Sequence, residues 1–153
     1  MSKQNSFRLQ SVLNYKTSMV DNLETEFAEL RAAQKNEEEA LAHLEAMVQE
    51  HTVSLQRQQE NSTLNCQTIE LHQKYLHFLH NHVARQKLRV AEAARQVEAK
   101  REELVKMMQE QKTLEKLKDH HVARERIALN RRESRVVDDL VTTRYAREGY
   151  SHA

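Results

Sequence analysis

The sequence predicts an all-α protein, a long two-helix antiparallel coiled-coil hairpin whose second helix projects beyond the first. Three observations carry this: two runs of heptad spacing, a weaker segment between them, and a near absence of helix-breaking residues. In the first run Leu13, Val20, Phe27, Leu41, Val48 and Leu55 share one heptad position, with Leu9, Leu23, Leu30 and Leu44 three residues after or four before it. In the second, Ile69, Leu76, Val83, Val90, Val97 and Leu104 do the same. A period of 3.5 residues keeps an apolar seam facing one partner helix over many turns, so the expected shape is a rod.

Composition agrees with that shape. There is one glycine, Gly149, with no proline and no tryptophan, so the punctuation of a multi-element fold is missing. Charged residues make up 31 % of the chain and strong helix formers dominate. The net charge of +1 is unevenly divided: residues 1–76 carry 7 basic against 11 acidic residues, or −4, and residues 77–153 carry 17 against 12, or +5. An acidic helix and a basic helix are suited to pair, and so weak a balance does not imply bulk binding of nucleic acid. Cys66 is the only cysteine, which rules out an intramolecular disulfide and permits a reducing compartment. Met1 to Phe7 has no signal-peptide core, and no apolar run approaches the roughly 20 residues of a membrane span. The expectation is a cytoplasmic protein without direct membrane insertion.

Taken in order, helix one is expected over about 6–57, with Ser6 as its N-cap. Gln34 and Glu37 occupy seam positions and are expected to restrict register at some cost in stability. The seam fades over about 58–67, where Asn61, Ser62, Thr63 and Asn65 compete for local backbone hydrogen bonds, and this is the predicted turn. Without glycine or proline there, one very long helix that dimerises remains the alternative. An antiparallel register favours the hairpin: it sets Val48 against Leu79, Leu44 against Val83, Leu30 against Val97, Leu23 against Leu104, Val20 against Met107 and Leu13 against Leu114. The same register puts Lys16 beside Gln111, Leu9 opposite Lys118 and Phe7 opposite His120.

Helix two is expected over about 66–145, followed by a short disordered tail, all within a single hairpin spanning 1–153. It is then about 120 Å long against about 75 Å for helix one. Its strict repeat fails at Gln111 and Lys118, read as the place where the partner helix runs out. Beyond it, Val122, Leu129, Val136 and Leu140 form a new stripe, widened by Ile127, Val137 and Val141, among Arg124, Arg126, Arg131, Arg132 and Arg135. A lone helix cannot bury such a face, so it is expected to fold back or dock into a partner.

The opening Phe7, Leu9, Val12, Leu13 and Tyr15, the central Tyr75 and Phe78, and the closing Leu114, Glu115, Lys116, Leu117 and Lys118 leading into Val137, Asp138, Asp139 and Leu140 resemble the FliJ family. These are small coiled-coil proteins of the flagellar type III export apparatus, and the resemblance covers nearly the whole chain. It implies a stalk that inserts the end bearing both termini into a hexameric export ATPase ring, promotes ring assembly, and links the ring to the export gate membrane protein and to export chaperones. Such a stalk works in the cytoplasm at the cytoplasmic face of the inner membrane. Tyr75 and Phe78 are then the expected gate or chaperone contact, although His82 stands where the family has leucine. The expected ring-docking residues are Val122, Arg124, Arg126, Leu129, Arg131, Arg132, Arg135, Val136 and Leu140. The reading from a different class is a homodimeric structural coiled-coil tether unrelated to an ATPase.

Other chemistry finds little support. His77 and His80 lie three apart on one helical face, but no cysteine or acidic ligand cluster accompanies them, so no metal and no cofactor is expected. His51, His72, His120 and His121 have the residue type that titrates near neutrality and nothing in the sequence that assigns them a switch. Glu125, Glu133, Asp138 and Asp139 interrupt the terminal arginines, and no aromatic stacking platform surrounds them, which argues against nucleic acid. No phosphate-binding glycine loop, zinc-protease motif or nucleophile elbow is present, and carboxylates on a straight rod face water, so no catalytic residue is expected.

Overall fold

The computed structural model describes residues 6–60 and 65–150. Among these there are two helices that pack against each other and no strand: α1, Gln10–Glu60, and α2, Cys66–Tyr150, of 51 and 85 residues. The all-α hairpin expected from the heptads is therefore the fold. The chain divides into two compact units, one of Met1–Ser18 with Met107–Ala153, the other of Met19–Lys106.

The ends of the helices depart from the sequence expectation. Ser6 precedes α1 rather than capping it: the Gln10 N–H donates to the Phe7 carbonyl at 3.0 Å, a tighter turn than an α-helix makes, before Leu13 N–H reaches Leu9 at 2.9 Å. Gln58, Gln59 and Glu60, expected in the turn, belong to α1; residues 61–64 of that turn lie outside the described residues. Asn65 caps α2, its side-chain oxygen accepting from Gln67 N–H and its carbonyl from Thr68 and Ile69 N–H, all at 3.1 Å. Residues 146–150, expected in the tail, continue α2, and 151–153 lie outside the described residues. Within the helices Thr17, Thr52 and Thr113 satisfy their hydroxyls on the carbonyl four residues back, so these residues do not break the run.

In the unit Met19–Lys106, Val20, Leu23, Leu79, Val83 and Leu104 form the buried apolar seam, with Leu79 only 2 % exposed. Glu26 meets Lys100 at 2.8 Å, and His51 packs its ring edge-on against Tyr75 with centroids 4.6 Å apart. Both pairs lie one residue from the positions that the expected register sets opposite, and their order is antiparallel. Glu45 with Lys87 at 3.5 Å is a more diagonal pair. In these ion pairs α1 supplies the acid and α2 the base, as the charge division predicts. Exposed pairs of this kind contribute little stability but bias partner orientation.

One polar layer interrupts this seam. Gln86 is 7 % exposed and its amide donates to the Glu37 carbonyl at 3.0 Å and to the Glu37 carboxylate. The expected register-restricting role of Glu37 thus has a specific partner. We expect Gln86→Leu alone to destabilise by ~1–2 kcal/mol, because the half-buried Glu37 carboxylate loses its donor. Gln86→Leu combined with Glu37→Leu is expected to restore stability while admitting shifted registers. The check is disulfide crosslinking from a cysteine at Leu23 to cysteines at and around Leu104, with Cys66 replaced: one dominant product before the double substitution, several after it.

The Lys100 ammonium is held above its ordinary value of 10.5, first by its hydrogen bond to Glu26 and then by the one to Glu103 at 2.9 Å. A raised lysine value contributes stability that is present below pH 10.5 and lost as pH rises through the folded value. The expected result is that Glu26→Gln shifts the alkaline unfolding of the helices to lower pH. Circular dichroism across the alkaline range reads this.

In the other unit Leu13 is buried. Beside it the polar residues do not follow the charge division: Lys16 of α1 pairs with Glu110 of α2 at 2.6 Å, and Gln111 donates to the Thr17 hydroxyl at 3.1 Å. Gln111 and Lys118 are half-buried, so the break in the apolar repeat is a polar stretch of the seam rather than the end of the pairing. Phe7 reaches His121, ring centroids 5.8 Å apart, one residue beyond its expected partner His120.

Candidate docking faces

The first face lies in the unit Met19–Lys106. On α2, Leu71, Tyr75, Phe78 and His82 succeed one another at intervals of four, three and four residues and so share one side of the helix. Leu71 is 68 % and Phe78 54 % exposed, while Tyr75 and His82 are half-buried. The rings support one another: Tyr75 and Phe78 lie nearly parallel with centroids 6.2 Å apart, and His82 packs edge-on to Phe78 at 4.3 Å. His51, reaching across from α1, braces Tyr75 from the seam side, and His72 lies 6.4 Å from His51. Tyr75 therefore combines packing with a partly open edge, and Phe78 is the open anchor. Aromatics already held in place lose little freedom on binding. Leu71 and His51 were not singled out for this face by sequence reasoning. The interval of four from Leu71 to Tyr75 is a signal that finds the first, and the heptad spacing from Leu44 finds the second as a seam residue.

The second face lies in the unit that contains the C-terminal part of α2. Val122, Leu129, Val136 and Leu140 are exposed, as are Ile127, Val137, Val141 and Tyr145. Every residue of 126–149 is exposed, so no described residue covers this stretch. Arg124, Arg126, Arg131, Arg132 and Arg135 are exposed among them and make no ion pair with a described residue. The structure thus brings the nine residues expected at the ring onto one uncovered helical segment.

Neither face has the makings of a metal centre: among the described residues no group of three or more His, Cys, Asp or Glu is placed to hold a metal ion. His80, one of the histidines weighed as a ligand, bonds through Nδ1 to the Leu76 carbonyl at 2.7 Å. No described helix is long and apolar enough to cross a membrane.

Two packed helices, an aromatic stripe and an uncovered segment of apolar residues and arginines define a helical-hairpin protein with two exposed apolar faces. The family model of the flagellar FliJ protein matches residues 5–150, nearly the whole chain, and the chain belongs to that family. It is a flagellar export-related protein, of a family that is structural and chaperone-escorting rather than enzymatic. No curated protein and no solved structure matches the chain.

Proposed function

We propose that the chain is a non-enzymatic central stalk component of the flagellar type III export apparatus. Residues 122–149 dock into the hexameric export ATPase ring and promote its assembly, while the face of Tyr75 and Phe78 links the ring to the export gate and to export chaperones. The chain then works as one hairpin at the cytoplasmic face of the inner membrane.

The observation that carries this reading is the uncovered segment of α2. Most helical stability in proteins comes from packing of an amphipathic face, and a helix that leaves Val122, Leu129, Val136 and Leu140 in water gains that packing only from a partner. Arginines flanking an apolar stripe suit a protein surface, where they combine hydrogen-bonding forks with long apolar stems. The test is the ATPase rate and hexamer fraction of the export ATPase from the same genome, with and without the full-length chain. Stimulation supports the stalk. No stimulation, with both proteins folded, removes it in favour of a tether, for which a second copy of the chain covers the segment.

A further inference from the structure

The aromatic stripe does not end at His82. Continuing along α2 by three and then four residues, the same side of the helix carries Arg85 and Arg89, both exposed. Neither makes an ion pair or hydrogen bond with a described residue, whereas nearby cations do. Lys74 is paired with Glu70 at 2.7 Å, Lys87 with Glu45 at 3.5 Å, and Arg95 with Glu92. Glu92 lies three residues beyond Arg89 but is engaged by Arg95 and, at 3.4 Å, by Gln96.

We infer that this face receives an acidic amphipathic helix, its apolar side chains over Leu71, Tyr75 and Phe78 and its carboxylates over Arg85 and Arg89. The inference rests on the proposed role of Tyr75 and Phe78 and adds the chemistry of their partner. Arg85 and Arg89 are four residues apart and therefore about 6 Å apart along the helix axis. Two carboxylates separated by one turn of a partner helix match that spacing, and each guanidinium fork can donate two parallel hydrogen bonds to a carboxylate. The apolar part anchors and excludes water, and the arginine end orients the partner so that its acidic end points toward the middle of α2. A helix with the opposite polarity, or one lacking acid, leaves two arginines facing apolar or basic surface.

The test uses the full-length chain and, as probes, the cytoplasmic domain of the export gate protein and the export chaperones from the same genome. Arg85→Glu with Arg89→Glu is expected to lower affinity for one of them by tenfold or more, on the order of what charge reversal at an interface does, mostly through a slower association rate. The wild-type association rate should fall with added salt, and that dependence should flatten in the variant. Arg85→Lys with Arg89→Lys should keep the salt dependence and lose part of the affinity. Because both side chains are exposed, helicity serves as the folding control.

Wild-type binding that the glutamate variant retains within twofold, while Phe78→Ala abolishes it, overturns the acidic partner and leaves the aromatic contact standing. Retained protein binding with lost binding to anionic phosphatidylglycerol vesicles overturns it in favour of a lipid surface. No binding of wild type to any of the probes overturns both this inference and the parent assignment of the face.

Discussion

Leu79→Ala is expected to destabilise the packed helices by about 2–4 kcal/mol, against at most ~0.5 kcal/mol for Leu88→Ala. Both are leucines of α2, nine residues apart, but Leu79 is 2 % exposed and Leu88 lies on the outer surface. Removing a buried leucine costs the transfer of its methyl groups from water and the cavity left behind. A seam two helices wide has open flanks that relax into part of that cavity, which places the cost below the top of the usual range. The helix itself gains slightly from alanine at either site, so propensity does not explain the difference. Urea unfolding followed by circular dichroism measures it. Equal losses at the two sites would show that α2 does not bury the Leu79 side; a midpoint that rises with protein concentration would show that a second copy supplies the seam.

The second large effect concerns the uncovered segment. A chain ending at His121 is expected to keep its helical packing and to lose all stimulation of the export ATPase. It retains the buried leucines and valines and the Phe7 contact with His121, and it lacks Val122 through Leu140. Truncation is a blunt change, so Leu129→Asp with Val136→Asp in the full-length chain is the sharper version. Burying each of these side chains in a partner contributes ~1.5–3 kcal/mol, and losing both corresponds to on the order of 100-fold or more in affinity. Stimulation that survives both changes would place ring contact elsewhere and remove the stalk reading of this segment.

Both experiments probe features that the heptad spacing made legible. The apolar residues that turned out to be buried, Leu13, Val20, Leu23, Leu79, Val83 and Leu104, are all seam residues of the two heptad runs or positions set against each other by the expected register. They were legible because a helix repeats its side-chain directions at a fixed period, and burial of one stripe leaves that period in the sequence. The exposed stripe after His121 was legible for the same reason. What it lacked was a facing heptad.

The polar contacts were not legible to the same degree. Glu37 stood out as a seam residue, but its partner Gln86 did not, although it falls seven residues after Leu79. The reversed pair Lys16 and Glu110 runs against the charge division of the chain. The first turn at Phe7 moved the start of α1 past Ser6, and residues 146–150 remained helical where a tail was expected.

By itself the sequence determined the fold class, the two seams and the side of each helix that faces water, since these follow from local periodicity and from the scarcity of breakers. Tertiary structure alone decided which polar groups meet, that His51 braces Tyr75, and that Phe78 stands exposed between Tyr75 and His82 in a row of rings. A heptad repeat can be superimposed on another at every multiple of seven. Only packed coordinates select one alignment, and with it the identity of each cross-helix partner.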